Sequence, residues 1–88
     1  MSDTEAPEVR LKRLRMRSMR RGIREMDLIL TAFADAELSR MSPEELDDYD
    51  RLLNENDQDL YVWVTGKSPA PERFVNIVAR VASALQRN

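Results

Sequence analysis

The side chains with the most chemistry to offer in this chain are charged. Five of them surround a glycine in the stretch Met19-Arg20-Arg21-Gly22-Ile23-Arg24-Glu25-Met26-Asp27: Arg20, Arg21, Arg24, Glu25 and Asp27. The others are close carboxylates, Glu44/Glu45, Asp47/Asp48 and Asp57/Asp59. Neighbouring carboxylates suit acid–base work or a hard cation, and guanidinium groups suit carboxylate or phosphate. The residue types that usually complete such sites are missing. There is no histidine and no cysteine. That removes the commonest acid–base group and metal ligand at neutral pH, thiolate zinc sites, disulfides and a cysteine nucleophile. The acidic pairs lack the D-x-[DN]-x-[DN]-G pattern of a calcium loop, so they read as a solvated helix face. No catalytic residue and no metal site is expected.

Charge is unevenly placed. Eight basic residues stand between Glu8 and Arg24 (Arg10, Lys12, Arg13, Arg15, Arg17, Arg20, Arg21, Arg24), against Glu8 alone. From Glu25 to Asp59 twelve acidic residues face only Arg40 and Arg51. A basic third joined to an acidic middle would steer a partner into one orientation. Gly22 falls where the two meet. Glycine costs about 1 kcal/mol against alanine inside a helix, so either the chain turns here or something approaches the backbone closely. The plain alternative is a helix–helix corner, with Gly22 as cap, Glu25 at the third helical position and Arg21 in solvent. The density of opposite charges around a bare backbone instead describes a small protein-docking patch.

The elements that must position these residues are helical. Apolar spacing predicts a first helix from Pro7 to about Arg20, burying a narrow stripe of Val9, Leu11, Leu14, Met16 and Met19. A second helix, to about Leu38, carries Met26, Ile29, Leu30, Phe33 and Ala36 at clean i, i+3, i+4, i+7 spacing. Ser42-Pro43-Glu44-Glu45 is a capping box opening a third helix, which runs to near Glu55 with Leu46, Tyr49, Leu52 and Leu53 inward. Asn56 or Asp57 caps a short fourth helix with Leu60, Trp63 and Val64 on one face, and Gly66 ends it. Trp63 reads as a core anchor. A last helix from Pro71 to Gln86, with Ser68 as a candidate cap, presents Phe74, Ile77, Val78, Val81 and Leu85. The expected fold is all-α, a compact five-helix bundle in a single domain: residues 1–7 a flexible tail, residues 8–88 the helical domain.

The stretch RMRSMRRGIREMDLILTAFADAEL, Arg15 to Leu38, resembles the succinate dehydrogenase assembly factor family, flavinylation factors of the SdhE type. Its signature R-G-x-x-E is here Arg21-Gly22-Ile23-Arg24-Glu25, followed by an acidic residue and an apolar helix with a phenylalanine. ELDDYDRLLNENDQDLYVWVTG, Glu45 to Gly66, looks like the family's leucine pair, acidic turn, D-L-[YF]-x-W and terminal glycine. Together these blocks cover about residues 10–66, and the last helix agrees in pattern only. Two positions depart: Met19 replaces an aromatic residue of the first helix, and Gln58 a proline of the acidic turn.

The resemblance implies a five-helix protein that binds the flavoprotein subunit of succinate dehydrogenase, and in some bacteria that of fumarate reductase. It promotes covalent attachment of FAD to a histidine of that subunit. A chain with no histidine fits that role, because the acceptor lies on the partner. Arg21, Gly22 and Glu25 would be the contacts, with Arg20, Ile23, Arg24 and Asp27 beside them. No Rossmann fingerprint is present, so no FAD is expected to be held stably by this chain alone.

Three function classes follow: a non-enzymatic assembly factor, the reading adopted; a small helical nucleic-acid-binding regulator using the basic first helix; and a carboxylate-based enzyme. The basic helix lacks aromatic residues for base stacking, and the acidic middle would repel a polyanion. Binding that resists salt separates the first class from the second. From the missing aromatics and the acidic middle, no nucleic-acid partner is expected. Without an apolar span no membrane insertion is expected, and without a presequence-like start the location reads as bacterial cytoplasm.

Overall fold

The computed structural model describes residues 5–86, so residues 1–4 of the expected tail lie outside it. Five α-helices follow in order: α1 Pro7–Arg17, α2 Arg24–Glu37, α3 Pro43–Leu52, α4 Asp57–Val64 and α5 Val75–Gln86. Short 3-10 turns at Leu38–Arg40 and Glu72–Phe74 precede α3 and α5. The fold is the all-α five-helix bundle that the apolar periodicity predicts, with no strand among the described residues.

The helix ends show how local chemistry cuts the chain. Pro7 opens α1, where a missing N–H costs nothing. Ser42 and Glu45 form the expected box: the Glu45 N–H donates to Ser42 Oγ at 3.2 Å, and the Ser42 N–H to Glu45 Oε1 at 2.8 Å. That second bond holds the Glu45 carboxyl below the usual carboxylate range. Asn56, not Asp57, caps α4, its Oδ1 accepting from the Gln58 N–H at 2.8 Å. Gly66 follows α4 with φ +81°, and the Ser68 N–H closes onto the Val62 carbonyl at 3.1 Å. Ser68 therefore finishes α4 and caps nothing downstream, while Pro71 precedes the 3-10 turn that leads into α5.

Packing centres on α2 and α5, with α2 against α1, α4 and α5, and α5 against α2, α3 and α4. Met26, Leu30 and Phe33 of α2 meet Tyr49 and Leu52 of α3, Leu60 and Val64 of α4, and Ile77, Val78 and Val81 of α5 in one core. Each fully buried leucine contributes about 2 kcal/mol from burial. Trp63 is half-buried at the core's edge, 6.0 Å from the Phe74 ring, rather than at its centre.

Helix α1 joins this core differently. Leu14 is its only fully buried apolar side chain, and Leu11 is half-buried. Arginines reach across to α3 and beyond. Arg10 pairs with Asp47, Arg13 with Asp50 at 3.0 Å, and Arg17 with both Asp50 and the side-chain oxygen of Asn54. Arg13 also holds Glu5 at 2.8 Å. The basic third and the acidic middle thus neutralise each other inside one chain, and the expectation that their separation steers a partner is corrected. Beneath this ladder Ser18 is wholly buried, its Oγ 2.8 Å from the Leu14 carbonyl and 2.6 Å from the Tyr49 hydroxyl. Because Ser18 spends its proton on the carbonyl, Tyr49 donates to Ser18, and burial pushes the Tyr49 phenol up to about 12.

Candidate docking site

The link between α1 and α2 carries the charged corner. Helix α1 stops at Arg17, three residues short of the expected end, and the chain turns through Ser18–Ile23. The residue in the left-handed region is Arg20, with φ +56°, and not Gly22. An L side chain there costs about 1–2 kcal/mol, offset in part by the Arg20 N–H bond to Asp27 Oδ1 at 2.9 Å. Asp27 also accepts from Thr31 Oγ1 at 3.3 Å, so one carboxylate in the first turn of α2 ties turn to helix.

Gly22 does not cap α2. Ile23 occupies the cap position in extended conformation, with no side-chain cap bond, and Glu25 falls at the second helical position. The positive helix end still favours Glu25 and Asp27 there. What Gly22 does is meet Asp57. Its N–H donates to Asp57 Oδ2 at 2.6 Å, and Arg21 Nε donates to Asp57 Oδ1 at 2.8 Å. The Arg21 guanidinium donates further to the carbonyls of Arg17 at 3.0 Å and Leu53 at 3.2 Å. Both side chains of this pair are nearly buried, 12% and 13% exposed. A Cβ on Gly22 would stand 3.2 Å from Asp57 Oδ2, tighter than ordinary contact. The close approach that the glycine permits comes from this chain's own α4.

The corner residues therefore divide. Arg21 faces inward; the plain expectation that it lies in solvent is corrected, since a buried carboxylate and two carbonyls hold it. Ile23 is half-buried against the core, and Asp27 is spent on the turn. Gly22 presents its outer surface to solvent. Arg20, Arg24 and Glu25 are exposed, with side chains that make no hydrogen bond or ion pair among the described residues. Those three project from a corner fixed by Asp57.

Sequence reasoning missed Asp57, which it read as a possible cap or a surface carboxylate. It also placed Met16 and Met19 in the buried stripe of α1, whereas they are 64% and 41% exposed. Helical spacing holds the signal. Leu11, Leu14 and Ser18 share one face of α1, while Val9, Met16 and Met19 share another. The first face is the buried one: Leu14 enters the core, Leu11 packs against it and Ser18 meets Tyr49. Among the described residues no group of three or more His, Cys, Asp or Glu converges to hold a metal ion. No described helix is long and apolar enough to cross a membrane.

These features define a small all-helical protein with a charged corner that Asp57 holds in place. Comparison with known proteins narrows the class. The model of the family described as flavinator of succinate dehydrogenase matches residues 12–87. A relative from Candida glabrata is 49% identical over 75 residues, covering 82% of this chain and 49% of its own. One from Debaryomyces hansenii is 41% identical over 87 residues, covering 96% and 60%. One from Mycosarcoma maydis is 42% identical over 74 residues, covering 84% and 31%. Each is named succinate dehydrogenase assembly factor 2, mitochondrial. The chain belongs to this flavinator family of succinate dehydrogenase assembly factors.

The chain spans between a third and three-fifths of the length of these curated relatives. Their names also overturn the bacterial cytoplasmic location, since they are mitochondrial proteins of fungi. That expectation rested on the composition of the first residues. Eighty-eight residues that align with part of longer relatives do not report an address carried at a chain end.

Proposed function

We propose that this chain is a non-enzymatic assembly factor that docks on the flavoprotein subunit of succinate dehydrogenase and promotes covalent attachment of FAD to a histidine there. The observation that carries the reading is the corner: Arg20, Arg24 and Glu25 project unpaired around the bare backbone of Gly22, on a turn clamped by Asp57. Family membership supports the identity of the partner.

The chain's own residues do not fit a resident FAD. Its two glycines, Gly22 and Gly66, stand far apart in sequence, and neither belongs to a phosphate-cradling loop. FAD is therefore the partner's cofactor, and this chain supplies position. Holding the subunit so that flavin and acceptor histidine stay in attacking geometry is a proximity effect, worth up to about 7–11 kcal/mol in well-oriented systems. It needs no acid, base or nucleophile on the factor.

The test mixes the chain with apo flavoprotein subunit and FAD, denatures the mixture, and reads in-gel flavin fluorescence. Wild type is expected to strengthen the fluorescent band. Glu25→Ala, at an exposed position whose side chain makes no bond among the described residues, is expected to lower it about tenfold while remaining helical by circular dichroism. A band that wild type leaves unchanged would sink the proposal.

A further inference from the structure

Beside the corner runs an apolar groove that the fold leaves unfilled. Met16 and Met19 of the α1 end form one wall, and Leu28 and Ala32 of α2 the other, with Arg20 at its mouth. Leu28 is 60% exposed, so three large apolar side chains stand in water along one seam. Exposed apolar side chains scattered singly need no explanation, but a lined groove of them marks a contact surface. Methionine suits such a surface, because an unbranched thioether adapts its shape to what it meets.

The charges around the seam indicate what fits it. Both carboxylates that line it are engaged: Asp35 with Arg15 at 3.4 Å, and Asp27 with the Arg20 N–H and Thr31. The guanidinium groups of Arg20 and Arg24 have no partner among the described residues, and Arg24 lies one helical turn before Leu28 on the same face. Glu25, on the adjoining stripe, offsets only one of them. The formal charges around the seam balance, since Asp27 keeps its charge beneath neutral donors. The unpaired groups do not: two guanidinium groups, Arg20 and Arg24, stand without a partner among the described residues against the Glu25 carboxylate alone. Arg20 is moreover held at positive φ, a conformation that glycine would adopt without strain.

We propose that this groove receives an apolar side chain from an acidic segment of the flavoprotein partner, whose carboxylates pair with Arg20 and Arg24. The inference rests on the docking reading above and deepens it, extending the contact from the corner onto the Met16–Met19–Leu28 seam.

Methionine footprinting tests it directly. Dilute hydrogen peroxide transfers one oxygen to an accessible thioether: the O–O bond breaks, an S–O bond forms, sulfur is oxidised by two electrons and water is released. Met26, wholly buried, and Met41, 8% exposed, serve as internal controls. In the free chain Met16 and Met19 are expected to oxidise first by peptide mass spectrometry. With saturating apo flavoprotein subunit their oxidation is expected to slow about tenfold, with the controls unchanged. Leu28→Asp, and Arg24→Glu in parallel, are expected to weaken binding about tenfold. Arg20→Gly is expected to weaken it as well while raising Tm, which separates recognition from folding. Binding with no protection of Met16 and Met19 overturns the groove and leaves the docking reading standing. No binding at all overturns both. Binding that Arg24→Glu and Arg20→Gly leave unchanged overturns the acidic occupant. Protection that appears on raising this chain's own concentration, without the subunit, assigns the groove to a second copy and overturns the proposal.

Discussion

At the scale of single residues, Arg21-Gly22 and Glu25 do different work although they share one short motif. Arg21 and the Gly22 N–H are both held by Asp57, so they build the corner, while Glu25 projects from it. A Gly22 substitution consequently reports on two things at once, contact with a partner and displacement of Asp57. Asp57→Ala separates them, because it changes none of the exposed corner side chains themselves and removes only what holds the turn. It strands the Arg21 guanidinium and is expected to cost about 2–3 kcal/mol of stability. The Gly22 amide is the direct readout. A short bond from an N–H to a carboxylate moves the proton downfield, and with Gly66 the only other glycine, the two resonances are simple to tell apart in a nitrogen–proton correlation spectrum. Asp57→Ala should shift the Gly22 proton upfield, and Asp57→Asn, which keeps an acceptor oxygen, should shift it less. A Gly22 resonance that ignores both changes would show that Asp57 does not hold the corner.

At the scale of elements, α1 is fastened mainly by charge, with Leu14 alone deep in the core. Helices α2 and α5 are fastened mainly by apolar packing, to which α5 adds Arg80 on Glu37 and Glu45. Asp50 is central, bridging Arg13 and Arg17. Its bond from Arg13, helped by the charges of Arg13, Arg17 and Arg10, holds its carboxyl below the ordinary value of 3.8. A depressed carboxylate contributes stability that is complete above its unfolded pKa and is lost as pH falls through the folded one. Amide exchange in α1 should therefore accelerate below about pH 4 before that of α2 around Leu30 does. Asp50→Asn should cost about 1 kcal/mol at low ionic strength and less in concentrated salt, where partly exposed pairs are screened. Because Arg80 also ties α5 to Glu37 and Glu45, the reference is the turn of α2 around Leu30. Equal loosening of α1 and that turn on acidification would refute a separate electrostatic fastening. The elements themselves were legible from the sequence because their signals are local: the Ser42–Glu45 box, the glycine after α4, and the 3.6-residue stripes of α2 and α5. The fastening was not, since nothing local says that Arg13 and Asp50, 37 residues apart, face one another. The corner was legible as a place and misread in detail. Glycine suggested that Gly22 caps the turn, whereas Arg20 takes the left-handed conformation, Ile23 takes the cap position and the reason for Gly22 lies on α4.

At the scale of the whole molecule, the ladder decides what the basic first third can bind. Eight cations between Arg10 and Arg24 would make a phosphate-binding helix if they were free. Arg10, Arg13, Arg17 and Arg21 are held by carboxylates of α3 and α4, and Arg15 by Asp35. Among the described residues Lys12, Arg20 and Arg24 remain without a partner, on a molecule of net charge −2 whose acidic α3 borders the ladder. Binding to a DNA duplex releases counterions in proportion to the phosphates neutralised. Three available cations give a salt slope of roughly −3, where eight would give roughly −7. Duplex retardation in a native gel should accordingly be absent near physiological salt and weak below it. A slope near the larger value would mean that DNA can break the intramolecular pairs, and the basic helix would then be a nucleic-acid surface in its own right. A small slope leaves the free cations where they cluster, Arg20 and Arg24 at the corner, as a rim that selects an acidic protein segment.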